Sequence, residues 1–297
     1  MSLSSVTGII LAGGKSKRFS SSKLELKIGK VTLLFSQLIK LCHFCDEILV
    51  STNRENYKAV RKEVDRLLPS GFLMDSEADL IKHLPEKGVP EIKVILDEEW
   101  LGEFENLSLY SRACSPGPIG GIYSGLKNAK NFYSIVVALD MPFISYAFLG
   151  FLLESIISKP NVSESSVGKD ERESNKEKVL MNRTPDVVVV RTEKGFETLC
   201  AIYSKNCLEV IEENIKRKMY KISDVFTGVF TRVISEDSLK KAGIGSLNFF
   251  NINTSRDYKY FMEVWERGVF GNDSCNISSR FCEKWKNFFY RENGSRT

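Results

Sequence analysis

The stretch Val6-Thr7-Gly8-Ile9-Ile10-Leu11-Ala12-Gly13-Gly14-Lys15-Ser16-Lys17-Arg18 decides how this chain is read. Residues 6–11 form a short apolar run that predicts a buried strand, ended by the paired glycines. Two glycines after a strand let backbone N–H groups come close to a phosphate. Ser16 adds a hydroxyl donor, and Arg18 and Lys23 place fixed positive charge where a polyphosphate would lie. The spacing matches neither GxxxxGK[ST] nor GxGxxG, so neither common phosphate-binding fingerprint applies. The plain alternative is a flexible basic loop that follows a strand.

Working outward, strand and helix signals alternate. Leu33, Leu34, Leu38, Ile39, Leu41 and Cys42 recur at helical spacing. Residues 48–51 read as a strand, 55–68 as a helix, 93–97 as a strand and 120–130 as a helix. Residues 133–140 (YSIVVALD) are nearly continuously apolar, as expected of a strand buried on both faces. Helix 146–157 follows, then strands 186–191 and 199–203 with no helix between them, which suits a hairpin. Helix 208–218, strands 229–234 and 249–253, and helix 258–267 complete the pattern. Such alternation predicts an α/β fold, a three-layer, doubly wound, mainly parallel sheet with helices on both faces.

Three further motifs could carry chemistry. Gly117-Pro118-Ile119-Gly120-Gly121-Ile122 reads as a turn feeding a helix N-terminus, where free N–H groups favour anions. Asp140, in Ala138-Leu139-Asp140-Met141-Pro142-Phe143, stands at the C-terminal end of a central strand, where open α/β sheets bind ligands. A carboxylate there suits Mg²⁺ bridging phosphates. In Asn251-Ile252-Asn253-Thr254-Ser255-Arg256-Asp257 the period of two puts Asn251 and Asn253 on one face, and Thr254 or Ser255 can cap the next helix. Taken singly, these are also an ordinary helix entry, a turn-forming Asp and a strand-to-helix junction.

Composition narrows the class. The 297 residues carry 42 Lys+Arg against 38 Asp+Glu, with 42% hydrophobic residues. Those values exclude a wholly disordered chain, a collagen or a small disulfide scaffold. A net charge of +4 is too mild for a nucleic-acid coat. No apolar run reaches the ~18 residues of a membrane span, and no signal peptide is read, so a cytoplasmic protein is expected. Seven scattered cysteines fit reduced thiols. Cys42-His43-Phe44-Cys45 lies in an apolar helical stretch and reads as core packing rather than a zinc site. Residues 161–178 hold nine charged residues and only two Val, and read as a mobile surface loop. Phe281, Trp285, Phe288 and Phe289 lie at helical spacing in a C-terminal extension, 268–297. The expected organisation is one domain over 1–267 with insertions at 70–92, 98–116 and 159–184.

In this order the motifs resemble the molybdenum cofactor guanylyltransferases, the MobA type of the nucleotidyltransferase superfamily. L-A-G-G-x-S-x-R is met at Leu11 to Arg18. M-G-x-D-K survives only at Lys23, with Phe19, Ser20 and Ser22 in the other places. G-P-L-x-G-I is met with Ile119 for Leu, D-x-P-F at Asp140, Pro142 and Phe143, and N-x-N-T-x-x-D at Asn251, Asn253, Thr254 and Asp257. S-x-N-R is met at Ser51, Asn53 and Arg54, and P-L-x-A-x-Y at Thr198 to Tyr203 without the proline.

The resemblance implies a nucleotide-diphospho-sugar transferase-like, Rossmann-like fold and a Mg²⁺-dependent transfer of GMP from GTP to the terminal phosphate of molybdopterin, releasing pyrophosphate. It implies catalytic roles for Lys23, Arg18 and Asp140, with Asp140 on the metal. It implies a nucleotide pocket of Leu11, Ala12, Gly13, Gly14, Ser16, Lys23, Asn53, Asp97 and Gly120. Asn251 and Asn253 would face the acceptor phosphate or metal region. Expected partners are GTP, the molybdenum cofactor and molybdoenzyme-maturation proteins, with no nucleic acid or membrane, and the chain a monomer or weak homo-oligomer. Three alternatives stay open: a cytidylyltransferase on the same pterin, another small-molecule phosphate nucleotidyltransferase, or a nucleotide-binding carrier.

Overall fold

The computed structural model describes residues 5–13, 23–28, 31–67, 85, 88–97, 117–158 and 183–267. The expected mobile loop at 161–178, the insertion at 98–116 and the aromatic stripe after residue 268 lie outside them.

β1 (Thr7–Leu11) is followed by a 3-10 turn at Lys23–Glu25 and an antiparallel pair, β2 (Lys27–Ile28) and β3 (Val31–Thr32). Then come α1 (Leu33–Cys42), β4 (Glu47–Thr52), α2 (Arg54–Leu67) and β5 (Glu91–Leu96). α3 (Pro118–Asn128), β6 (Tyr133–Ala138) and α4 (Tyr146–Ile157) form the middle of the chain. β7 (Val187–Thr192), β8 (Gly195–Phe196), β9 (Cys200–Ser204) and α5 (Cys207–Lys216) follow. β10 (Thr231–Ser235), α6 (Glu236–Lys241) and α7 (Ser255–Glu266) complete the elements.

One eight-stranded sheet runs in the order β10-β7-β9-β6-β1-β4-β5, with β8 beside β7. β1 pairs in parallel with both β4 and β6, β4 with β5, and β7 with β10. Only β8 and β9 run the other way, and β9 lies antiparallel between β6 and β7. The sheet is therefore mainly parallel, as the alternation predicts. The expected hairpin is present, with β8 turning back inside it. The strand order reverses at β1, which opens a crevice at the carboxyl ends of β1, β4 and β6.

Neighbouring residues on each central strand serve opposite cores, as a period of two requires. Ile10, Ile48, Val50, Ile135 and Val137 pack on the face that carries α1, α2, α4 and α7. Ile9, Leu49, Val136, Ala201 and Tyr203 pack on the face that carries α3 and α5. Gly125 lets α3 lie tight on the sheet, since a Cβ there would come within 2.6 Å of Ile9 Cδ1. Cys42 and Cys45 are buried in the first core, and His43 meets Tyr146 edge-on at 5.1 Å, so this motif packs as expected. Among the described residues no helix is long and apolar enough to cross a membrane.

The structure corrects the expected strand at 249–253. Ser246–Phe249 is a 3-10 turn, and residues 250–253 form no ladder. The Ile252 N–H instead donates to the Asp140 carbonyl at 2.9 Å, with the Ile252 side chain fully buried. A single strand-like hydrogen bond to the end of β6 thus replaced sheet pairing, and the apolar run Phe249-Phe250 serves packing. β5 starts at Glu91, inside the span 70–92 expected to be irregular. β2, β3 and α6 carry no expectation, because two-residue strands and a six-residue helix are too short to show a period.

Candidate active site

The crevice is built from strand ends. β1 runs out into Ala12 and Gly13, β4 into Asn53, β5 into Asp97, and β6 into Leu139 and Asp140. Backbone bonds hold these ends together. The Ala12 N–H donates to Ser51 O at 2.8 Å, the Asp97 N–H to Thr52 O at 2.9 Å and the Leu139 N–H to Leu11 O at 3.2 Å.

On one side lie Leu11, Gly13, Ser51, Asn53, Asp97 and the first turn of α3. Gly13 is required for close approach: a Cβ there would collide with the Asp97 carboxylate and crowd the Asn53 backbone nitrogen. A Cβ on Gly121 would meet Leu11 Cδ2 at 3.0 Å and Ser51 Oγ at 3.3 Å, which places α3's first turn over the ends of β1 and β4. Gly117, with φ 70°, makes the reversal into α3, and its capping position makes no side-chain hydrogen bond to the helix. Gly120 sits in that first turn, as expected. The buried Ser51 hydroxyl has no hydrogen-bond partner among the described residues. The Asn53 amide is engaged internally: its nitrogen donates to Gly13 O at 2.6 Å and its oxygen accepts from the Asn56 N–H at 2.9 Å. Asn53 thus shapes the crevice by fixing Gly13 and capping the start of α2.

On the other side Lys23 Nζ stands 2.6 Å from Asp140 Oδ2, at the end of β6. The same ammonium donates to Asn253 Oδ1 at 3.4 Å. Three residues separated by 117 and 230 positions in the chain thus meet at one point. Asn251 does not join that contact; its amide nitrogen donates to Phe249 O at 3.2 Å. The expected strand that would set Asn251 and Asn253 on one face is not formed, and the two side chains have different partners. Gly14, Ser16 and Arg18 lie outside the described residues. The Thr198–Tyr203 motif lines up beside the site: Leu199 O accepts from the Ala138 N–H at 2.9 Å, and the Tyr203 hydroxyl donates to Thr198 O at 2.8 Å.

Asp140 and Asn253 present a carboxylate and an amide oxygen around one cation, the ammonium of Lys23. Hard oxygens in small number fit Mg²⁺, which keeps waters and completes its shell with substrate phosphates. Among the described residues no group of three His, Cys, Asp or Glu side chains could hold a metal. Asp140 and Asn253 thus offer two oxygen donors, a set compatible with Mg²⁺ that keeps waters and substrate oxygens in the rest of its shell.

Asp257 has a role that its motif position alone does not reveal. Its carboxylate accepts from the Thr254 N–H at 2.7 Å and the Asn253 N–H at 2.9 Å, while Thr254 Oγ1 accepts from the Asp257 N–H. This capping box starts α7 and fixes Asn253 beside Lys23. The Tyr258 hydroxyl ties the same helix to Lys27 O at 2.9 Å. Burial alone would raise the Asp257 pKa, but the bonds from Asn253 and Thr254, with the charge of Lys23, bring it below the ordinary value. A lowered folded pKa contributes stability above the unfolded pKa of about 3.9 and loses it as pH falls through the folded value. Asp257→Ala should therefore melt about 2–4 °C below the parent at neutral pH, the size of a lost cap. That gap should narrow below about pH 4, as thermal unfolding across pH would show.

The chain from residue 8 to 228 matches the model of the MobA-like NTP transferase domain. It is 25% identical over 255 residues to a molybdenum cofactor guanylyltransferase of Desulfosudis oleivorans, covering 86% of this chain and 93% of that protein. It is 27% identical over 256 residues to a probable molybdenum cofactor guanylyltransferase of Thermococcus sibiricus, covering 85% and 95%. The fold resembles molybdopterin-guanine dinucleotide biosynthesis protein A of Archaeoglobus fulgidus, with a TM-score of 0.55, 20% identity and coverage of 88% and 100%. It also resembles 4-diphosphocytidyl-2C-methyl-D-erythritol synthase of Anaerococcus prevotii, at 0.51, 10% identity and coverage of 88% and 96%. With the family model spanning most of the sheet and the strand ends that build this crevice, the chain belongs to the MobA-like NTP transferase family.

Proposed function

We propose that this chain is a Mg²⁺-dependent guanylyltransferase that moves GMP from GTP to the terminal phosphate of molybdopterin. The observation that carries the reading is the meeting of Lys23, Asp140 and Asn253 beside the end of β1, in a MobA-like domain. An oxygen of the acceptor phosphate attacks the α-phosphorus of GTP, a new P–O bond forms, and the bond to the bridging α–β oxygen breaks. Pyrophosphate leaves with the electron pair. Such a displacement asks for alignment and charge neutralisation rather than a covalent intermediate. Bound Mg²⁺ would supply charge stabilisation on the phosphoryl oxygens, held by Asp140 with Asn253 nearby. Lys23 neutralises the triphosphate and the departing pyrophosphate, and Arg18 does so on the strength of the sequence motif.

Leu11, Ala12, Gly13 and Gly120 form the nucleoside wall. Asp97, lying against Gly13, accepts hydrogen bonds from the guanine N1–H and N2–H₂ donors. A carboxylate facing two base donors discriminates by about 1–3 kcal/mol, or roughly tenfold to a hundredfold. Thermal-shift titrations with GTP, CTP, ATP and UTP, each with Mg²⁺, should show GTP the tightest by about that margin. Pyrophosphate release should require molybdopterin. Tighter binding and faster turnover of CTP would move the assignment to a cytidylyltransferase.

A further inference from the structure

We infer that Gln37 and Lys40, on α1, are positioning residues that hold the Asp140 turn in its working shape; the inference rests on the function proposed above. Three consecutive carbonyls of that turn each receive a donor. Asp140 O takes the Ile252 N–H at 2.9 Å, Met141 O takes Gln37 Nε2 at 2.6 Å, and Pro142 O takes Lys40 Nζ at 2.8 Å. Gln37 is 1% exposed and Lys40 7% exposed. Burying an amide and an ammonium is costly unless they are hydrogen-bonded, and here Gln37 Nε2 and Lys40 Nζ both reach across the core to the same two-residue span, while Gln37 Oε1 has no partner among the described residues. They are spaced i, i+3, so one helix face delivers both.

The same helix also fixes the partner of Asp140. At its N-terminal end the Leu33 N–H donates to Leu26 O at 2.9 Å, and the Leu26 N–H donates to Lys23 O at 3.3 Å. α1 therefore touches the Lys23 segment at one end and the Asp140 turn at the other, and sets the distance between the two charges. Preorganisation of that pair is what a displacement at phosphorus needs from the protein.

Gln37→Met and Lys40→Met remove the donors while keeping side-chain bulk. Each should lower kcat about tenfold to a hundredfold, the range for partners that orient a metal ligand, with the KM for GTP within about twofold. With GTP saturating, the affinity of the complex for Mn²⁺, read by electron paramagnetic resonance on the full chain, should weaken in step. Lys40→Arg, which keeps a cationic donor, should recover most of the lost kcat. Gln37→Asn, which withdraws the donor by one methylene, should shift both readouts the same way but less. Folded Met variants with unchanged kcat and unchanged Mn²⁺ affinity of the GTP complex would overturn the inference, as would a rise in KM alone. If the parent chain itself failed to bind Mn²⁺·GTP, the functional reading would fall and the inference with it.

Discussion

Replacing Asp140 by Asn should lower guanylyl transfer about a thousandfold while moving the unfolding midpoint by no more than about 4 °C. The two numbers answer different questions. The Asp140 and Lys23 side chains are 21% and 19% exposed, so their ion pair is partly screened and contributes on the order of 1 kcal/mol to stability. A thousandfold loss of turnover is about 4 kcal/mol of transition-state stabilisation. An ion pair that served the fold alone could not produce that gap. Asn keeps the shape and one oxygen for Lys23 but removes the charge that would hold Mg²⁺ against the phosphates. Steady-state kinetics across a Mg²⁺ series, with calorimetric unfolding of the same samples, measures both. A variant that kept parental turnover at every Mg²⁺ concentration would remove Asp140 from the mechanism.

Lys23→Ala should cost about a hundredfold to a thousandfold in kcat, the usual loss when one preorganised donor to developing charge is removed. Its ammonium already meets Asp140 and Asn253, so it stands where a leaving pyrophosphate could be met without a large side-chain movement. Combining both substitutions separates the roles. If Lys23 acted only by holding Asp140 in place, the double variant would be no slower than Asp140→Asn alone. If Lys23 stabilises the leaving group itself, the double variant falls further. Pre-steady-state release of pyrophosphate from GTP is the measurement, and full turnover by Lys23→Ala would end the assignment.

Much of the fold was legible before any coordinates. The nearly continuous apolar run at 133–140 announced a strand buried on both faces, which forms over Tyr133–Ala138, and the Gly13 and Asp140 positions announced the strand ends that meet at the crevice. The expected helix 146–157 forms over those residues, and the structure adds that Ser145 caps it with a side-chain bond from the Phe148 N–H. The strand expected at 249–253 was not formed. Its alternation is real, but Ile252 satisfies that pattern by burying against the end of β6 rather than by pairing in a sheet. Gln37 and Lys40 left only a faint trace, two of the three polar residues in the mostly apolar helix LLFSQLIKLC. Nothing local says which carbonyls they reach, 104 and 102 residues away.

The sequence by itself determined the order of strands and helices, the two-faced sheet and the residue types fit for phosphate chemistry, because periodicity and backbone freedom are local properties. Only the tertiary structure decided that Lys23, Asp140 and Asn253 share one point while Asn251 turns to its own backbone. It also decided that Asn53 acts by holding Gly13 and that α1 spans from Lys23 to Asp140. Those facts depend on a strand order that reverses at β1 and on side chains meeting partners 40 to 230 residues away, separations that no local pattern encodes.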